Sequence, residues 1–270
     1  MIPFANALPK SGTNLAQKLL ELMGFQYDQL GIASSLILGS NYMARQLTRG
    51  ALFDKNPIQI GFEAPVSISS RWLSTRLSKV APNGYISGHA NYSERLHQIL
   101  LENKVKTIHI LRDPRDVLVS SAHFFAKKKD YYLYPLFSKL AFEERIKGSL
   151  EGGLFPEIGL RLESFHSCLE KVAAWQDKQD VLFIKFEDLI GEQGGGSKKN
   201  QLETIQNVAN FIGFDASQEK TLHVIAEQLF GGTHTFRKGV IGSWKDELSQ
   251  EMANKIESNL SDFLNLWDYK

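Results

Sequence analysis

Residues 105–111 read VKTIHIL and residues 180–186 read DVLFIKF. Apolar runs of this length suit strands buried on both faces, the arrangement found where helices cover a parallel sheet. Ile2 to Leu8 is a third such run, stopped at Pro9, which has no N–H to give a ladder, and GYISGH at 84–89 is a fourth. Helical periods lie between them. LAQKLLELMG puts Leu15, Leu19, Leu22 and Met23 on one face and closes at Gly24 as a C-cap. A second helix is expected from the N-cap Ser93 to Lys104, and a third follows RDPRD with Pro114 in its first turn. Strands alternating with helices predict an α/β chain with three layers, α/β/α, around a central, mostly parallel sheet.

A length of 270 residues predicts one domain, 1–270. Residues 30–80 and 127–160 lack a clean period and are read as acceptor-side or lid segments, and GEQGGGSKKN at 191–200 as a flexible loop. Leu248 to Trp267 has the spacing of an amphipathic helix. Lys plus Arg (31) balance Asp plus Glu (30), so no overall field draws the chain to nucleic acid or to an anionic membrane. No apolar run reaches the roughly 18 residues of a membrane span, and MIPFANALPKSG has no basic region of the kind that opens a signal peptide. The single Cys168 lies in a helical pattern as a small hydrophobe and fits a reducing compartment. The expectation is a cytoplasmic protein, monomer or homodimer.

Ligands in parallel sheets bind beyond the carboxyl ends of the strands, and the polar motifs fall there. PKSGTN (9–14) leaves a strand and enters a helix, where free N–H groups and the positive end of the helix dipole attract anions. Gly12 permits close approach, Ser11 and Thr13 add hydroxyls, and Lys10 adds a charge; the alternative is an ordinary capped turn. In RDPRDVLVSSAHFF, Arg112 ends a strand and Ser120 lies about two helical turns on, so guanidinium and hydroxyl could meet on a phosphate. Otherwise Asp113 and Asp116 pair with Arg112 and Arg115. TFRKGVIGSWK (235–245) offers Arg237, Lys238 and Gly239 as another anion-binding turn. His89, directly after a strand, is the histidine best placed to act as a base.

These three motifs together resemble the sulfotransferase family that uses 3′-phosphoadenylyl sulfate (PAPS), enzymes with a P-loop NTPase-like parallel sheet. PKSGTN is similar to that family's 5′-phosphosulfate loop, RDPRDVLVSSAHFF to its 3′-phosphate segment, and FRKGVIGSWK to its C-terminal R-K-G-x-x-G-x-W-K. The resemblance implies a small bacterial-type member that moves the sulfuryl group of PAPS to the hydroxyl of a small molecule, with no metal. It implies Lys10 on the oxygen bridging phosphorus and sulfur, Ser11, Gly12, Thr13 and Asn14 on the 5′-phosphate, and Arg112, Ser120, Arg237, Lys238 and Gly239 on the 3′-phosphate. It implies His89 as general base, and His123 as packing or donor positioning. Leu15 stands where the family has tryptophan, and Phe186 where it has tyrosine, so both become apolar contacts to adenine, with Phe230 as a further wall. Phe62, Glu63, Tyr92, Phe125, Tyr131, Tyr132 and Tyr134 are read as residues near the acceptor, which an aromatic lining would make a small alcohol, phenol or secondary metabolite. Two other readings stay open: a nucleotide kinase with Asp113 on magnesium, against which stands the lack of GK[ST], and a nucleotide-binding protein without turnover.

Overall fold

The computed structural model describes residues 1–38, 54–215, 219–231 and 239–269. In chain order its strands are β1 (Ile2–Ala7), β2 (Gln26–Ile32), β3 (Ile58–Ile60), β4 (Val66–Ile68), β5 (Gly84–Gly88), β6 (Val105–Leu111), β7 (Gly153–Phe155), β8 (Leu160–Leu162) and β9 (Val181–Lys185). Five of them make one sheet in the order β2-β5-β1-β6-β9, and every pair in it is parallel. β1 sits at its centre and is buried from end to end. Its alternate side chains enter different cores: Phe4 packs with Ile86, Leu96 and Trp175, whereas Ala5 and Ala7 join Leu19, Leu20, Ile205 and Val208. A sheet covered on both faces follows, as the apolar runs predict.

The helix after β1 spans Thr13–Leu22. Gly24, at φ +88°, ends it: Gly24 N–H donates to Glu21 O at 2.9 Å and Phe25 N–H to Leu20 O at 3.0 Å, which satisfies carbonyls that the helix leaves open. Ser93 caps the helix Glu94–Glu102 by accepting from Leu96 N–H, and Pro114 opens the helix Pro114–Lys127, where its missing N–H costs nothing. The helix Gln250–Leu266 is amphipathic, with Ile256, Leu260 and Phe263 buried beside Cys168. No helix among the described residues is long and apolar enough to cross a membrane.

Three segments differ from expectation. The strand β2 begins just after the helix end at Gly24 and runs into the stretch read as irregular; at the edge of the sheet it buries only Leu30 and Ile32 of its seven residues, so it lacks the apolar run that marks the others. The described part of 30–80 also holds the β3–β4 hairpin and the helix Ser70–Leu77. Residues 127–160 contain the short helix Tyr134–Phe137, the helix Phe142–Glu151 and the strand β7, and bury Leu133, Phe137 and Ile146. Residues 191–200, expected as a flexible loop, form a turn at Glu192–Gly194 and the start of the helix Lys198–Ile212, capped by Ser197. Packing holds it there: a Cβ on Gly194 would stand 2.7 Å from Gly239 O and one on Gly196 2.6 Å from Glu187 O, so these two glycines serve close approach.

Candidate active site

The PKSGTN turn leaves β1 at the carboxyl end of the sheet's central strand. Lys10 takes φ +71°, in the left-handed region, and Ser11 N–H donates to Leu8 O at 3.1 Å. Gly12, at φ +115°, starts the Thr13–Leu22 helix without a side-chain cap, so the positive end of the helix is left to a ligand. Thr13 Oγ1 is buried and has no hydrogen-bond partner among the described residues, which is the state of a group that awaits one. The Lys10 ammonium stands 4.2 Å from the centroid of the Phe124 ring. A Cβ on Gly12 would meet Phe186 Cδ2 at 2.8 Å, so glycine admits the aromatic ring against the turn.

Opposite lies the start of the Pro114–Lys127 helix. Arg112 stacks its guanidinium 4.4 Å from the Phe186 centroid and donates to Lys10 O at 3.3 Å and Val240 O at 3.2 Å. Arg115 turns elsewhere: it pairs with Asp113 at 2.8 Å and Glu257 at 2.6 Å and lies 4.2 Å from the Trp244 centroid. Both arginines thus pair with a carboxylate, Arg112 with Asp116 at 3.7 Å and Arg115 with Asp113, and of the two Arg112 also lines the cavity. Asp116, fully buried, accepts from Gly242 N–H at 2.8 Å, Ser243 Oγ at 2.9 Å and Trp244 N–H at 3.0 Å, which brings the late GVIGSW segment against the arginine. His123 is bonded through Nε2 to Glu247 and packs on Phe142, a packing role.

His89 follows β5. Its backbone N–H donates to Ile32 O at 2.8 Å, and its Nδ1 lies 2.8 Å from Ala7 O. A carbonyl can only accept, so Nδ1 carries the proton and Nε2 keeps the lone pair. Burial, with the nearby Lys10 charge, lowers the imidazole pKa to about 4, against the pull of the Ala7 carbonyl. At neutral pH the ring is thus uncharged and able to accept a proton.

Lys10, Gly12, Thr13, Asn14, Leu15, His89, Arg112, Ser120, Phe186 and Gly239 line one cavity of about 380 Å³, within the range of ligand sites. Ser11 is buried outside this lining, its N–H spent on the turn. Phe230 is also outside it; its carbonyl accepts from Lys18 Nζ at 3.3 Å. Arg237 and Lys238 lie outside the described residues. Ser35, Leu36, Phe124, Lys128, Asp130, Ile190, Gly231 and Ser243 complete the wall, and sequence reasoning missed them. Phe124 carried a signal in the H-F pair and Ser243 in the FRKGVIGSWK motif, and Ser35, Leu36, Lys128 and Asp130 fall in the two segments read as acceptor-side or lid.

Among the acceptor-side residues, Tyr131 lines this cavity, and its hydroxyl donates to Glu63 Oε1 at 2.7 Å. Glu63 and Phe125 line a smaller cavity of about 30 Å³, which shares Pro9 with the large one. Burial raises the Glu63 pKa above that of an ordinary carboxyl and that of Tyr132 well above that of an ordinary phenol. Phe62 is wholly buried among Leu8, Leu111 and Val117 and is core. Tyr92 stands edge-on to Trp175 and donates to Glu94 at 2.6 Å, and Tyr134 opens a short helix; neither lines a cavity described here.

The chain is similar to Sulfotransferase 6B1 of Mus musculus, 26% identical over 182 residues (65% of this chain and 57% of that protein). It is also similar to Cytosolic sulfotransferase 6 of Arabidopsis thaliana, 25% identical over 194 residues (61% and 53%). It thus aligns with little more than half the length of these relatives. Two solved structures share the fold: mouse sulfotransferase SULT7A1 complexed with PAP (TM-score 0.62, 18% identity, 97% of this chain and 83% of that one), and retinol dehydratase in complex with androsterone and inactive cofactor PAP (TM-score 0.60, 18% identity, 97% and 80%). The sulfotransferase domain matches residues 4–264, which include most of β1, the turn at Lys10, His89 and Arg112, and with that match over nearly its whole length the chain belongs to the sulfotransferase domain family.

Proposed function

We propose that this protein transfers the sulfuryl group of PAPS to a hydroxyl of a small-molecule acceptor, less readily to an amine, and releases adenosine 3′,5′-bisphosphate. The observation that carries the reading is the fixed His89 tautomer beside Lys10 and Arg112 on one cavity wall. The orphaned Thr13 hydroxyl, the uncapped helix start and the two cations suit a donor with phosphates at both ends. Lys10, Gly12, Thr13 and Asn14 would hold the 5′-phosphosulfate, Arg112, Ser120 and Gly239 the 3′-phosphate, and Leu15 and Phe186 the adenine.

His89 Nε2 takes the proton of the acceptor hydroxyl as its oxygen bonds to sulfur and the bond from sulfur to the phosphate oxygen breaks. Lys10 and the first-turn amides meet the negative charge that gathers on the departing phosphate, so they favour the transition state over the bound donor. General base assistance of this kind is worth roughly 100- to 10,000-fold. Glu63, Phe125 and Tyr131 form the acceptor side, with Tyr132, which lines neither cavity, buried in the core 4.7 Å from the Tyr131 ring, and the aromatic character favours an alcohol, phenol or secondary metabolite.

His89→Ala tests this reading. Sulfation of a panel of phenols and alcohols, followed as mass gain with PAPS present, is expected to be lost in the variant while calorimetric binding of adenosine 3′,5′-bisphosphate stays. Unchanged turnover removes His89 as the base, and tight ATP–magnesium binding with no response to the bisphosphate removes the sulfotransfer reading.

A further inference from the structure

Beneath His89 lies a buried polar cluster that the transfer step leaves unused. Asn6, fully buried on β1, stands in register with Gly88 of β5 and with His109 of β6. Its carboxamide reaches Ala90, the residue after His89: Oδ1 accepts from Ala90 N–H at 2.8 Å, and Nδ2 donates to Ala90 O at 2.9 Å. Trp175 Nε1 donates to the same carbonyl at 3.0 Å. The strand β5 stops at Gly88, so these bonds continue the β1–β5 pairing by a side chain, which carries one donor group and one acceptor as a peptide does.

The cluster also fixes a second imidazole. Ala90 N–H can only donate and its carbonyl only accept, so the orientation of the Asn6 amide has no alternative. Its Nδ2 therefore also faces His109 Nδ1, at 3.2 Å, and Nδ1 must present a lone pair. His109 is then the neutral Nε2–H tautomer. It is fully buried, stacked 4.8 Å from the Phe183 centroid, with Nε2 unpartnered among the described residues.

We propose that Asn6 is a positioning residue for His89: its carboxamide anchors Ala90 and so holds the backbone that carries the base, and its second N–H keeps His109 from taking a proton beside that base. The inference rests on His89 as the base. Without the Ala90 anchor, the Nδ1 bond to Ala7 O loses its fixed geometry and the ring can populate both tautomers, of which one cannot accept the acceptor's proton. The charged or titratable groups that act on these rings come from two elements, Lys10 of the turn and His109 of β6, and charge on either opposes proton uptake by His89. A cationic His109 would therefore weaken the base as well as strain the core.

The test is nitrogen NMR of histidine-labelled full-length protein, with signals assigned through His89→Ala and His109→Phe. Wild-type spectra are expected to show His89 protonated at Nδ1 and His109 at Nε2; His109 found protonated at Nδ1 overturns the proposal before any Asn6 variant is made. In Asn6→Leu, His89 is expected to lose its single tautomer and give averaged nitrogen shifts while binding of adenosine 3′,5′-bisphosphate is kept; unchanged His89 shifts overturn it. Asn6→Asp keeps the bond from Ala90 N–H but offers His109 a carboxylate, so His109 is expected to titrate at higher pH, and this variant decides the matter if Asn6→Leu does not fold. An unmoved His109 in Asn6→Asp again overturns the proposal. These spectra need no turnover, so they remain readable even if His89→Ala stays active and the base reading fails.

Discussion

Arg112 lies over the ring of Phe186, 4.4 Å from guanidinium carbon to centroid, while its terminal nitrogens hold the carbonyls of Lys10 and Val240. One side chain thus joins the turn at Lys10, the late chain segment and the aromatic wall. A lysine has a single charged point and cannot make all three contacts. Arg112→Lys is expected to weaken adenosine 3′,5′-bisphosphate binding by roughly 10- to 100-fold, the range of a lost charged hydrogen bond, and AMP binding by less. Calorimetry with both nucleotides checks this; an equal loss for the two would mean that Arg112 supports the fold and not the 3′-phosphate.

Asp116 accepts three hydrogen bonds from Gly242, Ser243 and Trp244 without exposure to solvent. Asp116→Ala strands those donors and is expected to cost about 3–5 kcal/mol of stability, read from the denaturant midpoint. Donor affinity should fall with it, because Gly239 and Ser243 belong to the cavity wall. A variant as stable as wild type would show that the late segment is held by other contacts.

The β-strands legible in the sequence were those with apolar runs, and the site residues legible in it were those next to strand ends. β1, β5, β6 and β9 announce themselves by apolar runs, and Lys10, His89 and Arg112 follow such runs directly. β2 gave no such sign because its sequence, QYDQLGI, is mostly polar and buries only Leu30 and Ile32. Ser35, Lys128 and Ser243 reach the cavity from segments whose approach depends on tertiary packing, which spacing along the chain does not encode. Phe62 shows the opposite error: position in a segment without a clean period suggested a pocket, and the core took the ring.

Gly12 combines φ +115° with a Phe186 carbon 2.8 Å from where a Cβ would stand. Gly12→Ala is expected to lose about 1–3 kcal/mol to backbone strain and to push Phe186 from its place against the turn. Thermal unfolding and nucleotide titration together check it: a lower melting temperature with weaker bisphosphate binding is expected, and full retention of both would contradict the close approach.

Burial lowers the pKa of His89 to about 4 and that of His109 to about 3, both below the ordinary 6.5. The unfolded chain therefore binds more protons than the folded one across that interval, and stability rises with pH there. The contribution is whole above about pH 6.5 and is lost as pH falls through the two folded values. His109→Phe is expected to flatten the acid side of the stability curve, followed as denaturant midpoint between pH 7 and pH 4. An unchanged slope would mean that His109 is already charged in the fold.

Lys10 holds φ +71°, a backbone conformation in which glycine sits without penalty and a residue with a Cβ does not. Exchange of this lysine for glycine would relax the turn and remove the ammonium in the same step. On the proposed mechanism, a search for sturdier variants of this chain would therefore select against its chemistry at position 10, where durability and turnover draw on one torsion angle.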